Sequence, residues 1–117
     1  MKITNAQMFD SFPVLAQAEE KGVLGFAIAQ NRRKIAEELK EYSAKRDELL
    51  AEYGKEEGAG KYTLTPEAAV AFSAALRPYA ELEADVPLMQ VSVDDFCGGS
   101  LTSSQMYVLD WMVKKGD

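Results

Sequence analysis

Two arginines stand where apolar side chains belong. Arg32 and Arg46 share a seven-residue register with Leu39 and Tyr53, so helical spacing sets both guanidinium groups on an otherwise greasy stripe. A charge there must find a partner or lose heavily on desolvation. One reading is that the stems pack while the heads reach acids such as Asp85 or Glu81, or emerge into water. The other is that Arg32 with Asn31, and Arg46 with Tyr42, bind an anionic group or a partner's carboxylate through arginine's planar fork of donors. On that second reading Asn31, Arg32, Tyr42 and Arg46 are the candidate binding residues. A small anionic ligand would suit them, with Tyr42 or Tyr53 as a stacking surface.

Other groupings with chemical potential dissolve on inspection. Gly58-Ala59-Gly60-Lys61-Tyr62-Thr63 superficially resembles a phosphate loop. A P-loop places serine or threonine directly after its lysine to hold magnesium, and Tyr62 stands there instead. Lys55 also occupies the position of the leading glycine, so a hairpin-tip turn is the better account. Asn31-Arg32-Arg33-Lys34 is basic, but on a helix its side chains spread around most of the circumference, and Arg33 and Lys34 answer Glu37 and Glu38. Asp94-Asp95 point in different directions, and helix capping accounts for Asp95. Glu37, Glu38 and Glu41 form a solvated face.

The chain has no histidine and one cysteine, Cys97. The commonest general base, metal ligand and pH switch are therefore missing, and so is any intrachain disulfide. No catalytic constellation, metal site or cofactor site is expected. Nineteen acids against 13 bases leave a formal charge of −6, which argues against a nucleic-acid partner. No apolar run approaches the length of a membrane span, and the opening residues lead into no signal-peptide core. The expected location is the cytosol where the chain is made, or a particle assembled there.

The elements that must position these residues read as follows. The 117 residues, 47% of them apolar, suit a single domain that buries roughly two-thirds of its unfolded surface. Thr4 with Gln7 makes a capping box, and Ile3 can staple against Met8, opening a helix over about 5–20 that Pro13 kinks or divides. Lys21-Gly22 is its stop. From about 23 to 53 Ile28, Ile35, Tyr42 and Leu49 repeat every seven residues, as in a coiled-coil seam. That stretch predicts one uninterrupted helix about 45 Å long.

Gly54 ends this helix, residues 55–60 form an exposed turn, and Lys61 to Leu64 make a short strand. Thr65-Pro66-Glu67 starts a helix over about 66–82, with Ala69, Phe72, Leu76 and Tyr79 inward and Pro78 kinking its last turn. A strand over about 86–93 is an edge strand because of Pro87. Ser92 with Asp95 opens one helical turn, and Gly98-Gly99 a loop. Thr102 with Gln105 caps a last helix over about 103–115, whose Met106, Leu109, Met112 and Val113 share a face and whose Lys114-Lys115 suits the C-terminal dipole. Phe9, Phe12, Phe26, Phe72, Phe96 and Trp111 are expected in the core, Trp111 being the one suited to an interface. The fold class is mainly α, or α+β with a minor β element. The long helix pairs with the helix from Pro66 as an antiparallel hairpin, and the terminal helices pack at its base.

Several stretches resemble a family of small proteins of unknown function from tailed phages and prophages of Gram-positive bacteria. They are Ile3-Thr4-Asn5, Leu24-Gly25-Phe26-Ala27-Ile28-Ala29-Gln30-Asn31, Lys45-Arg46-Asp47-Glu48-Leu49-Leu50 with Glu52-Tyr53-Gly54, and the Asp85-Val86 region. The resemblance implies a phage context and brings no catalytic residues with it. Taken with the long seam, it leads to the expectation of a non-enzymatic structural or protein-interaction module, such as an assembly accessory. The partner is another protein or a second copy, part of the seam being left uncovered by the shorter hairpin helix. The alternative is a counter-defence protein that sequesters a small nucleotide.

Overall fold

Thr4 opens the first helix as its capping pattern requires. Its hydroxyl accepts from the Gln7 N–H at 3.1 Å, while the Gln7 side chain accepts from the Thr4 N–H at 2.9 Å. The structure, a computed structural model, describes residues 1–114. In chain order it comprises β1 (Lys2–Thr4), α1 (Asn5–Gln17), α2 (Gly22–Glu38), α3 (Lys40–Tyr53), β2 (Lys55–Glu56), β3 (Tyr62–Thr63), α4 (Pro66–Ala80), β4 (Glu83–Asp85), α5 (Val93–Cys97) and α6 (Ser103–Val108). A single 3₁₀ turn, Asp110–Met112, follows. The fold is mainly helical with two small antiparallel sheets, β1–β4 and β2–β3.

The stretch from 23 to 53 is not one rod. It divides at Leu39, whose ψ of −5° departs from the helical value, although its N–H still reaches Ile35 O at 2.9 Å and its carbonyl accepts from Ser43 at 2.8 Å. A straight helix carries a seven-residue seam about 20° around its axis per heptad. Across the division at Leu39, Ile28, Ile35, Leu39, Tyr42 and Leu49 are all buried. The seam residues are those the heptad spacing picked out, but they have different company. α2 packs chiefly on α1, whereas α3 packs on α4. The helix from Pro66 therefore covers only the second half of the stripe.

Tertiary contacts also move other boundaries. α1 runs through Pro13 without a break but ends at Gln17, three residues early. Residues beyond it are drawn off by Glu20, whose carboxylate accepts from the Ser100 N–H at 2.7 Å and its hydroxyl at 2.9 Å. Gly22 does not stop α1; it begins α2, at a φ of +67° that glycine adopts without strain.

The strand expected over 86–93 lies earlier, at Glu83–Asp85, in register with a strand at the very start of the chain: Lys2 opposite Asp85, Ile3 opposite Ala84, Thr4 opposite Glu83. Val86 N–H reaches Met1 O at 2.9 Å, and the ladder ends there because Pro87 has no N–H to offer. Residues 55–60, expected as a bare turn, contribute β2 to a second small sheet. The last helix stops at Val108, not near 115, and Val113 pairs in parallel with Val91 through bonds of 2.8 and 2.7 Å. Lys115, expected at its C-terminus, lies outside the described residues.

One core joins these pieces. Ile3, Met8 and Leu15 meet Leu24, Ala27, Ile28 and Ile35 from α2, and Val86, Val91, Phe96, Leu101, Leu109 and Met112 close the far side. Burying each large side chain contributes about 1.5–3 kcal/mol. Phe26 is a correction: it was expected in this core and is 58% exposed.

Candidate functional site

Asn31, on the buried face of α2, is fully enclosed. Its amide nitrogen donates to Met89 O at 2.9 Å, and its carbonyl oxygen accepts from Met89 N–H at 2.7 Å. A side-chain amide carries a donor and an acceptor side by side, so it can satisfy both backbone atoms of a single residue on an irregular segment. Asn31 thus holds residues 86–90 against α2, helped by Lys34, whose ammonium donates to Pro87 O at 2.6 Å.

Arg32, the next residue, is exposed. It lines a cleft of about 420 Å³ together with Lys21, Glu19, Glu20 and the α2 residues Ile28 and Ala29. None of the ion pairs among the described residues involves Arg32. The acids Asp85 and Glu81 do not meet it; Asp85 instead accepts from the Met1 ammonium at 2.9 Å.

Arg46 and Tyr42, one turn apart on α3, come together at the junction with α1 and α4. The Arg46 guanidinium lies 5.0 Å from the Phe9 ring centre and 5.8 Å from that of Phe72. Each ring is within cation–π range. Tyr42 meets Phe9 edge-on, with centroids 5.8 Å apart and planes at 74°. Burial pushes the Tyr42 phenol above its ordinary value; the Arg46 charge pulls it back and Asp10 pushes it up. Next to this cluster Lys45 sits 5.2 Å from the Tyr79 ring centre and 3.5 Å from Glu48. The four candidate residues therefore occupy three environments: a buried clamp, an open cleft and an aromatic cluster. Only Tyr42 and Arg46 share one.

The structure also exposes surfaces that residue spacing left unnoticed. Val23 and Phe26, one turn apart on α2, are 59% and 58% exposed, and Val70 on α4 is 72% exposed. Tyr107 on α6 is 84% exposed. It borders a groove of about 340 Å³ between α1 and the chain's last turns, lined also by Gln7, Asp10, Asp110 and Trp111. Trp111 is held in place there: its indole N–H donates to the buried Ser11 hydroxyl at 3.0 Å, and its carbonyl accepts from Gln90 at 2.9 Å. The sequence signals for this groove are two aromatics: Trp111, suited to an interface, and Tyr107, off the apolar face of Met106, Leu109 and Met112.

Among the described residues no group of three or more metal-ligating side chains is placed to hold an ion, and no helix is long and apolar enough to cross a membrane. Compared with family models, curated proteins and solved structures, the chain shows no significant match to any of them.

Proposed function

We propose that this chain is a non-enzymatic protein-interaction module of a tailed phage or prophage, serving as an accessory in particle assembly in the host cytosol or in the virion. Large apolar side chains left in solvent on separate helices carry this reading: Val23 and Phe26 on α2, Val70 on α4 and Tyr107 on α6. Such side chains gain from burial against a partner. Within the module we read α3 and α4, joined through β2 and β3, as an antiparallel helical hairpin with the terminal helices at its base. Lys45 over Tyr79 and Arg46 over Phe72 support that reading, since an advance along α3 is a retreat along α4. Self-association through the Val23–Phe26 face is the direct test. Light scattering should show the apparent mass rising with concentration, and Phe26→Ser should abolish the rise. A strict monomer that also fails to bind a hydrophobic dye removes the proposal.

A second reading is a counter-defence protein that binds a small nucleotide. The cleft beside Arg32 and Lys21 favours it, and the neighbouring Glu19 and Glu20 work against an anionic guest. Thermal-shift measurements against nucleotides decide the matter: if none raises the melting temperature, the cleft is not a nucleotide site.

A further inference from the structure

The groove between α1 and the last turns of the chain combines two features that together select a cation. Asp10 from α1 and Asp110 from the 3₁₀ turn bring two carboxylates to its wall, and both are exposed. Neither is engaged by a hydrogen bond or ion pair of another described residue, and no basic side chain among the described residues lines the groove. Two aromatic rings, Tyr107 and Trp111, line it beside Gln7, Ser11 and Val108. Tyr107 stands 84% in solvent, and Trp111 is fixed by its bond to Ser11. Aromatic faces attract cations through their quadrupole, and a ring already locked in place loses little freedom on binding.

We infer that this groove docks an exposed arginine side chain of a partner protein, the guanidinium lying on Tyr107 and Trp111 and donating to Asp10 and Asp110. The inference rests on the interaction-module reading and supplies the chemistry of one partner contact. Arginine fits better than lysine because its flat, weakly hydrated head can stack on a ring and still present a fork of donors to carboxylates. The net charge of −6 draws a basic partner toward the molecule as a whole. At about 340 Å³ the groove has room for one long side chain and a turn of backbone, and a larger ligand would not be enclosed.

Trp111 is the single tryptophan of the chain and lines this groove, so its emission responds to a ligand bound there. The test titrates the full-length protein with a capped arginine–glycine hexapeptide at low salt. The control is the same peptide with citrulline, which keeps the shape and removes the charge. The expected result is a saturable change in Trp111 emission with a Kd on the order of 0.1–1 mM. It should weaken as salt rises and be absent with the citrulline peptide. Tyr107→Ala should weaken binding about fivefold or more. The double variant Asp10→Asn with Asp110→Asn should weaken it about tenfold or more. All three side chains are exposed, so circular dichroism should show the variants folded. No emission change at millimolar peptide, an equal response to citrulline, or undiminished binding by the double variant would overturn the inference. So would a change in emission on concentrating the protein alone, which would give the groove to a second copy. Light scattering on the same samples keeps the two proposals apart, because self-association through Phe26 can persist when arginine binding fails.

Discussion

Asn31 and Arg32 are neighbours in sequence with opposite duties, and substitution should separate them sharply. Asn31→Ala removes two hydrogen bonds from a fully enclosed site and strands both backbone atoms of Met89. The expected cost is about 2–4 kcal/mol, read as a lower denaturant midpoint at unchanged slope. Arg32→Ala should leave the midpoint unchanged, because the side chain is exposed and joins no ion pair among the described residues. Tyr42 adds a pH dependence. Its folded pKa is raised above the ordinary 10.0, chiefly by burial. The stability linked to its proton is fully present below that ordinary value and is lost as pH rises through the higher folded one. Denaturation midpoints measured on the alkaline side should fall more steeply for the wild type than for Tyr42→Phe. Equal slopes would show that the phenol ionises freely in the folded state.

At the scale of elements, the corner between α1 and α2 depends on close approach. A side chain at Gly25 would drive into the backbone carbonyl of Glu20, and one at Gly99 would meet the Glu20 carboxylate and Leu24. Because Glu20 also receives both donors of Ser100, this corner ties α1–α2 to the α5–α6 loop. Gly25→Ala should cost about 1–3 kcal/mol despite alanine's better helix propensity. Thermal melts would show it, and a melting point equal to wild type would mean the corner can open without loss. The break at Leu39 behaves differently. Leu39 lies among strong helix formers, and its neighbours on α1 (Phe9, Phe12 and Pro13) line a common apolar groove with it. The two halves it separates pack on different partners, which accounts for the division where propensity does not.

For the molecule as a whole, the longest dimension is 47 Å against 26 and 23 Å for the others. An elongated body has more surface for its volume, and several large apolar groups remain on it. If those groups mediate assembly, moderate salt should leave Phe26-dependent self-association intact, since apolar burial is not screened. The same salt should weaken arginine binding at Tyr107, which depends on charge. Sedimentation and fluorescence at two ionic strengths would check this pair of outcomes together.

Local patterns were enough to place every helix start that rests on a cap. Thr4, Thr65, Ser92 and Thr102 each accept from the backbone N–H three residues on, as their spacing indicates. The seven-residue repeat likewise identified the buried edge of the central stretch, because periodicity reports which side chains share a face. What closes an element or pairs it with another depends on residues far away in the chain. β1 is a strand because Glu83–Asp85 arrives beside it, α1 ends at Gln17 ahead of Glu20, which Ser100 claims, and the last helix stops at Val108, short of the pairing of Val113 with Val91. The candidate site divided along the same line. Helical spacing put Tyr42 and Arg46 on one face, but only tertiary packing could bring Arg46 onto Phe9 and Phe72, bury Asn31 against Met89, or set Asp10 and Trp111 on one groove. Each of these pairings joins segments well separated in sequence, so its energy is realised only after the chain has collapsed.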